Sequence, residues 1–170
     1  QNNKKLQWYI SRKNIMDGEI SNLSNLPNLK WFEISYNKHS GKLPNLNKNI
    51  NLDYFDCWDN NLMGSLPDFS YLKKLRGFVC GVNNFVDTFP NLSTNVDLEI
   101  FWIPSNNITG QLPNLSIFKN LSQFSVANCI HISGNIPDLS QNTTLIRFLV
   151  SGNQLSGSIP DLSNNKMLRD

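Results

Sequence analysis

The chain has 170 residues, of which 39% are apolar and 16% are charged, and its net charge is +2. This length suits one modest domain, and the longest unbroken apolar run, Ile100 to Ile103, is too short to span a membrane. Acidic and basic residues are interspersed, so no basic cluster favours nucleic acid as a partner. The chain has one Ala, Ala127, but 27 Asn residues. Because Ala favours helices and Asn favours turns and caps, this composition argues against a helical bundle.

A Gly-x-Ile/Leu-Pro motif recurs along the whole chain. Its complete copies begin at Gly41, Gly64, Gly110, Gly134 and Gly157, and its degenerate copies at Gly18 and Asp87. Successive copies are 23 residues apart, except for 24 residues between Gly110 and Gly134. A leucine at the start of each unit keeps the same spacing, at Leu6, Leu29, Leu52, Leu75, Leu98, Leu121, Leu145 and Leu168. Self-similarity at a fixed period predicts a repeat architecture.

Each unit carries the pattern Leu-x-x-Phe-x-Ile/Val/Cys-x-x-Asn-x-Leu, followed by the glycine motif and Asn/Asp-Leu-Ser. Alternation around the Phe predicts one short strand per unit, and successive strands are expected to form a parallel sheet. The Phe column should stack inside the protein; it comprises Tyr9, Phe32, Phe55, Phe78, Phe101, Phe124 and Phe148. The Asn column should bond backbone groups where the chain leaves the sheet; it comprises Asn14, Asn37, Asn60, Asn83, Asn106 and Asn153. In the sixth unit either Asn128 or Cys129 holds this position, and the extra residue there predicts a bulge.

The pattern resembles the leucine-rich repeat, and in particular the Gly-x-Ile-Pro subtype of plant receptor ectodomains and polygalacturonase-inhibiting proteins. The resemblance covers the whole chain, although most units have 23 rather than 24 residues and a Phe where plant proteins favour Leu. It implies a curved, right-handed solenoid with a short parallel β-strand per repeat on the concave face. The convex face is expected to hold extended and 3-10 segments, with little or no α-helix.

We expect a single solenoid of about seven repeats over residues 1–170. Residues 1–6 and residues 163–168 lie at the same phase of the unit, and no capping segment is recognisable. Because solenoids usually need caps, we expect this chain to be a fragment of a longer array, stacking end to end with further repeats.

The cysteines and histidines suggest no metal site or cofactor. Cys57 and Cys80 occupy the inward Ile/Val column of neighbouring units. Strands about 4.8 Å apart make a disulfide sterically feasible. The sequence nevertheless favours two unpaired buried thiols, with Cys129 unpaired as well. His39 and His131 should lie roughly 20 Å apart, too far to share a metal ion, and His39 is expected at the edge of the core.

Six Asn-x-Ser/Thr sequons permit N-glycosylation, where chance alone predicts about four. The repeat itself also contains Asn-Leu-Ser, so the sequons are weak evidence. They lie at Asn22, Asn91, Asn107, Asn114, Asn120 and Asn142.

Positions that the repeat pattern leaves free should carry the function, and all four Trp residues fall there, on the predicted concave face. Trp8, Trp31 and Tyr54 share one column and predict an aromatic ladder. Gly77 and Gly81 predict a shallow gap beside it. Exposed aromatic groups usually mark an interaction site. The predicted ligand-binding residues are Trp8, Trp31, Glu33, Tyr36, Tyr54, Asp56, Trp58, Asp59 and Trp102.

We therefore predict a non-enzymatic module that binds a protein or peptide ligand, with the acidic groups favouring a basic one. The resemblance implies the same, because receptor and inhibitor members bind such ligands on this face, and it implies an extracellular or cell-surface location. Carbohydrate binding or cell-surface adhesion is the alternative, since aromatic rings stack on sugars. The aromatic rings could also pack on one another only to stiffen the sheet. A glycoside hydrolase using Glu33 and Asp56 is disfavoured, because an open surface should neither raise a carboxyl pKa nor exclude water.

Overall fold

In the computed structural model, which describes residues 3–170, each repeat contributes two short strands joined by turns. No helix occurs within these residues. In chain order the strands are β1 (Trp8–Ile10), β2 (Asp17–Glu19), β3 (Trp31–Glu33), β4 (Lys38–Lys42), β5 (Tyr54–Asp56), β6 (Asn61–Ser65), β7 (Gly77–Val79), β8 (Asn84–Val86), β9 (Ile100–Trp102), β10 (Thr109–Gln111), β11 (Gln123–Ser125), β12 (His131–Asn135), β13 (Arg147–Leu149) and β14 (Gln154–Ser156).

The odd-numbered strands form one seven-stranded parallel sheet in chain order, which confirms the parallel-strand solenoid expected from the alternating pattern. The even-numbered strands form two further parallel sheets, β2-β4-β6-β8 and β10-β12-β14, which the sequence did not predict. The gap between them falls where Asp87 replaces the glycine of the motif and has a φ of 68°. The remaining segments are extended chain and single turns. For example, the Leu26 N–H donates to the Leu23 carbonyl at 2.9 Å, as in one 3-10 turn.

The Phe column forms a continuous stack inside the solenoid, as predicted. Neighbouring ring centroids are 5.2–5.9 Å apart, with interplanar angles of 18–25°. The rings from Phe32 to Phe124 are buried, and so is the leading leucine of each unit from Leu29 to Leu145. Burial of each ring contributes about 2–3 kcal/mol, so the core is built from columns that the repeat itself supplies.

The Asn column bonds each coil to the preceding one, also as predicted. The Asn60 Nδ2 donates to the carbonyls of Ile34, Cys57 and Trp58 at 3.1–3.2 Å. Its Oδ1 accepts a hydrogen bond from the His39 N–H at 3.0 Å. The same set of bonds is made by Asn37, Asn83 and Asn106. Asn153 makes the donor bonds alone, and Asn14 donates only to two carbonyls of its own coil.

In the sixth coil Cys129, not Asn128, holds the ladder position. Its Sγ lies 3.6 Å from the Ile103 carbonyl, which is 26 residues earlier, the same separation as between Asn60 and Ile34. The extra residue follows at Ile130, whose φ of 51° marks the expected bulge. A thiol is a weaker donor than an amide, so this coil has the weakest ladder position.

A second column of buried asparagines, which the sequence pattern did not predict, lies among the turns between the even-numbered and odd-numbered strands. The Asn142 side chain is fully buried, and its Nδ2 donates to the carbonyls of Leu115 at 2.9 Å and Phe118 at 3.0 Å. The column comprises Asn49, Asn95, Asn142 and Asn165. Each member stands three residues before the leading leucine of a unit, in an Asn-x-x-Leu motif.

This burial corrects the glycosylation prediction at Asn142, because its amide is inaccessible and already bonded in the folded chain. The other five sequon asparagines are exposed: Asn22, Asn91, Asn107, Asn114 and Asn120. Glycosylation at those five positions stays a prediction.

Cys57 and Cys80 form a disulfide, so the prediction of unpaired thiols was wrong for this pair. Stacking in register places their Cα atoms 4.8 Å apart, within the range that a disulfide requires. Cys129 is a free, buried thiol, as predicted.

We expect the protein, prepared under oxidising conditions and then denatured, to expose one reactive thiol per chain without reductant and three with it. Thiol titration checks this count, and intact mass should rise by two hydrogens on reduction. Three reactive thiols before reduction would contradict the disulfide.

Replacing Asn60 with Ala should lower the free energy of unfolding by about 3 kcal/mol, because two N–H groups and one oxygen of the side chain are hydrogen-bonded, each worth about 1 kcal/mol. Urea denaturation measures the change. The matched control is Asn61→Ala, an exposed neighbour that should change stability by less than about 0.5 kcal/mol. Equal losses in the two variants would show that the ladder does not stabilise the stack.

Candidate functional site

The outward side chains of the seven-stranded sheet form a regular grid, because all strands pair in register. Trp31 pairs with Tyr54 and Glu33 with Asp56 across β3 and β5. We call the group Trp31, Glu33, Tyr54, Asp56 and Trp58 the aromatic–acidic cluster. These five predicted site residues lie on two adjacent coils.

Two of the aromatic rings stack on each other. The Trp31 and Tyr54 ring centroids are 4.0 Å apart with an interplanar angle of 17°. Trp8 is 60% exposed and stacks on no aromatic ring of the described chain; instead the Lys30 Nζ lies 5.9 Å from its ring centroid. The predicted ladder of three rings is therefore a pair with a separate, exposed Trp8 beside it.

Gly77 and Gly81 do not leave a gap beside the aromatic residues, so the prediction of a shallow gap there was wrong. A Cβ on Gly77 would collide with the Tyr54 ring, and one on Gly81 would collide with the Trp58 ring. Both glycines are buried. The aromatic rings of one coil thus lean over the next coil, and only glycine permits so close an approach.

Most acidic groups near the cluster have a partner. Glu33 is only 7% exposed, and its carboxylate accepts hydrogen bonds from the Arg12 Nη1 at 3.3 Å and the Trp31 Nε1 at 3.2 Å. Asp53, which directly precedes β5, accepts two hydrogen bonds of 2.6 Å from Arg76. These carboxylates are therefore compensated within the chain.

Asp56 is half-buried and makes no ion pair within residues 3–170. Its Oδ1 accepts a hydrogen bond from the Trp58 N–H at 2.9 Å. Burial, reinforced by the Glu33 carboxylate, raises the pKa of Asp56 to about 6, although the Trp58 hydrogen bond and Arg12 oppose this change. Burial and the same two carboxylates raise the pKa of Tyr54 to about 12. The expectation that this open surface leaves carboxyl pKa values unchanged was wrong for Asp56, because burial disfavours its charged form.

The other predicted site residues lie apart from the cluster. Tyr36 and Asp59 are exposed, with left-handed φ values of 55° and 53°, and the Lys13 Nζ lies 5.8 Å from the Tyr36 ring. Trp102 is half-buried and pairs with Val79, so β7 separates it from Asp56.

A cavity of about 660 Å³ lies away from this cluster, between residues of the first two coils. Its lining includes Leu6, Leu26, Phe32 and His39. The His39 side chain is buried, more deeply than the predicted edge position, and neither of its ring nitrogens has a hydrogen-bond partner. Residues 3–170 contain no group of three or more His, Cys, Asp or Glu residues arranged to hold a metal ion. None of these residues forms a helix that could cross a bilayer.

No family model matches the sequence, and no curated protein sequence matches it. Solved structures of plant receptors do match. The ectodomain of the membrane receptor kinase GASSHO1/SCHENGEN3 from Arabidopsis thaliana, in complex with CASPARIAN STRIP INTEGRITY FACTOR 2, gives a TM-score of 0.86 at 28% identity, over 91% of this chain and 19% of that chain. The plant peptide hormone receptor RGFR1, in complex with RGF2, gives a TM-score of 0.89 at 29% identity, over 97% of this chain and 27% of that chain. This chain has the leucine-rich-repeat solenoid fold.

A third match to the leucine-rich-repeat solenoid is the ectodomain of the Arabidopsis receptor kinase HAESA, in complex with an extended IDA peptide hormone. Its TM-score is 0.86 at 27% identity, over 92% of this chain and 28% of that chain. The solenoid thus spans between 19% and 28% of the length of these three receptor chains. The Gly-x-Ile-Pro subtype stays a prediction.

Replacing Asp56 with Asn should raise the free energy of unfolding at pH 7 by about 1–2 kcal/mol, because Asn keeps the Trp58 hydrogen bond and removes a poorly solvated charge. The folded-state pKa of about 6 lies above the ordinary value of 3.8. The stability of the wild-type protein should therefore fall as the pH rises from 3.8 to about 6. The stability gained by replacing Asp56 with Asn should vanish below this range.

Urea denaturation of both proteins at pH 7 and at about pH 3.5 measures this difference. Asp17→Asn, a neutralised carboxyl on exposed β2, is the control and should show no comparable gain. An Asp56→Asn variant that is less stable than wild type at pH 7 would contradict the electrostatic interpretation.

Proposed function

We propose that this leucine-rich-repeat solenoid is a non-enzymatic recognition module that binds a protein or peptide ligand through the aromatic–acidic cluster on its concave face. The observation that carries the proposal is that none of the four Trp residues belongs to the buried core of the described chain. The repeat columns build the core without them, so these large apolar rings are available to a ligand.

The similar solved structures support a peptide or protein as the ligand class. HAESA was solved with a peptide hormone ligand, and the peptide hormone receptor RGFR1 with RGF2. The acidic groups of the cluster would favour a basic partner. Stiffening of the sheet alone does not account for Trp8 and Tyr36, which are 60% and 46% exposed.

A glycosidase mechanism is less well supported. Both oxygens of Glu33 are already engaged, by Arg12 and Trp31, so this carboxylate is not free to act as a nucleophile or base.

We further propose an extracellular or cell-surface location. The Cys57–Cys80 disulfide supports it, because disulfides persist mainly in oxidising compartments. The five exposed sequons are compatible with that compartment.

Selection of phage-displayed random dodecapeptides on the immobilised chain tests the proposal, with affinities of the enriched peptides measured by calorimetry. We expect the double variant Trp31→Ala/Trp58→Ala to weaken binding at least tenfold, because it removes the apolar anchors, while its melting curve stays cooperative. Tyr71→Ala removes an exposed aromatic ring outside the sheet and should leave the affinity unchanged.

An unchanged affinity in the double variant would refute this site. If no peptide is enriched but an oligosaccharide array binds in a Trp31- and Trp58-dependent manner, the carbohydrate alternative replaces the peptide proposal.

A further inference from the structure

The charges around the aromatic–acidic cluster do not balance. Two carboxylates, Glu33 and Asp56, are adjacent on paired strands, and one guanidinium, Arg12, lies beside them. Arg12 is bonded to Glu33. On the other side of Asp56 the paired residue is Val79, which carries no charge. The cluster therefore lacks one positive charge, and the deficit falls on Asp56.

Aromatic rings bracket this uncompensated carboxylate. Tyr54 and Trp58 lie two residues before and after Asp56, so all three side chains share one side of the strand. The Tyr54 ring covers Gly77 and the Trp58 ring covers Gly81. Asp56 and its partner Val79 therefore lie between the two rings, so a half-buried carboxylate has an aromatic ring on either side.

A carboxylate flanked by aromatic rings has the chemistry of a site for a long cationic side chain. A carboxylate removed from water forms strong charge-assisted hydrogen bonds with a guanidinium or an ammonium group. Aromatic faces attract the same cations and pack against their alkyl stems. An uncompensated, half-buried carboxylate costs the folded chain stability, and a cation supplied by the ligand would remove that cost.

We propose that Asp56 anchors one arginine or lysine side chain of the ligand, with the alkyl stem held between Tyr54 and Trp58. Glu33 is not the anchor, since Arg12 already neutralises it. The inference rests on the proposed function and adds the ligand's key side chain. The raised pKa of Asp56, about 6, supports this inference. It also implies that binding weakens as Asp56 takes up a proton.

The test uses acetylated, amidated pentapeptides of sequence Gly-Gly-X-Gly-Gly, where X is Arg, Lys, Gln or Glu. Shifts of the Trp indole N–H signals in NMR titrations report binding at millimolar affinity. We expect the Arg and Lys peptides to shift the Trp58 and Trp31 signals, and the Gln and Glu peptides to bind at least tenfold more weakly. Asp56→Asn should abolish this preference, whereas Asp17→Asn, with the same change in net charge, should keep it.

A pH series separates this site from general attraction of cations. Wild-type affinity for the Arg peptide should fall about tenfold from pH 7 to pH 5, because a carboxyl with a pKa of about 6 changes from mostly charged to mostly neutral. The affinity of Asp56→Asn should be low and flat across that range.

Equal binding of the Gln and Arg peptides, no shift at 20 mM peptide, or equal effects of Asp56→Asn and Asp17→Asn would each overturn the inference. The proposed function fails separately. If display-selected peptides depend on Trp31 and Trp58 but contain no basic residue, and Asp56→Asn binds them as well as wild type does, the recognition site stands and the cation anchor is wrong.

Discussion

The whole structure depends on the stacking of coils in register, which is fixed by backbone hydrogen bonds between neighbouring coils. Each coil donates to the next along the sheet, as when the Ile34 N–H bonds the Asp56 carbonyl at 2.8 Å. This spacing brings equivalent residues together: the Cα atoms of Cys57 and Cys80 are 4.8 Å apart. A residue type that recurs at one position of the repeat therefore contacts the same residue type in the neighbouring coil. This produces the Phe stack, the Asn ladder and the disulfide.

The same constraint separates folding from recognition. The inward columns satisfy the core and the backbone, so the outward positions of the sheet carry few structural demands. In that context the aromatic–acidic cluster is notable for its energetic cost. Burial raises the pKa of Asp56, which means that its charge at neutral pH opposes folding. A charge that lowers stability at an otherwise tolerant position supports the proposed role of this cluster in ligand binding.

Irregularities of the repeat leave this cluster undisturbed. The gap in the second set of strands lies at Asp87, and the bulge lies at Ile130 in the sixth coil. The seven-stranded sheet continues past both positions without interruption. The register that pairs Glu33 with Asp56 is set within coils two and three, where the repeat has its regular length.

The sequence by itself determined the period, the parallel sheet, the Phe stack and the Asn ladder, because a fixed spacing forces equivalent residues into columns whatever the details of packing. It also identified the outward Trp residues, since they fall at positions that the pattern leaves free. Only the tertiary structure decided that Cys57 bonds Cys80, that Asn142 is buried, and that Tyr54 and Trp58 cover the glycines of the next coil. The column of Asn142 does carry an Asn-x-x-Leu signal in the sequence, but only the folded chain shows which carbonyls its amide meets. The tilt of the aromatic rings and the charge deficit at Asp56 depend on which way side chains lean between coils, and a one-dimensional pattern carries no information about that direction.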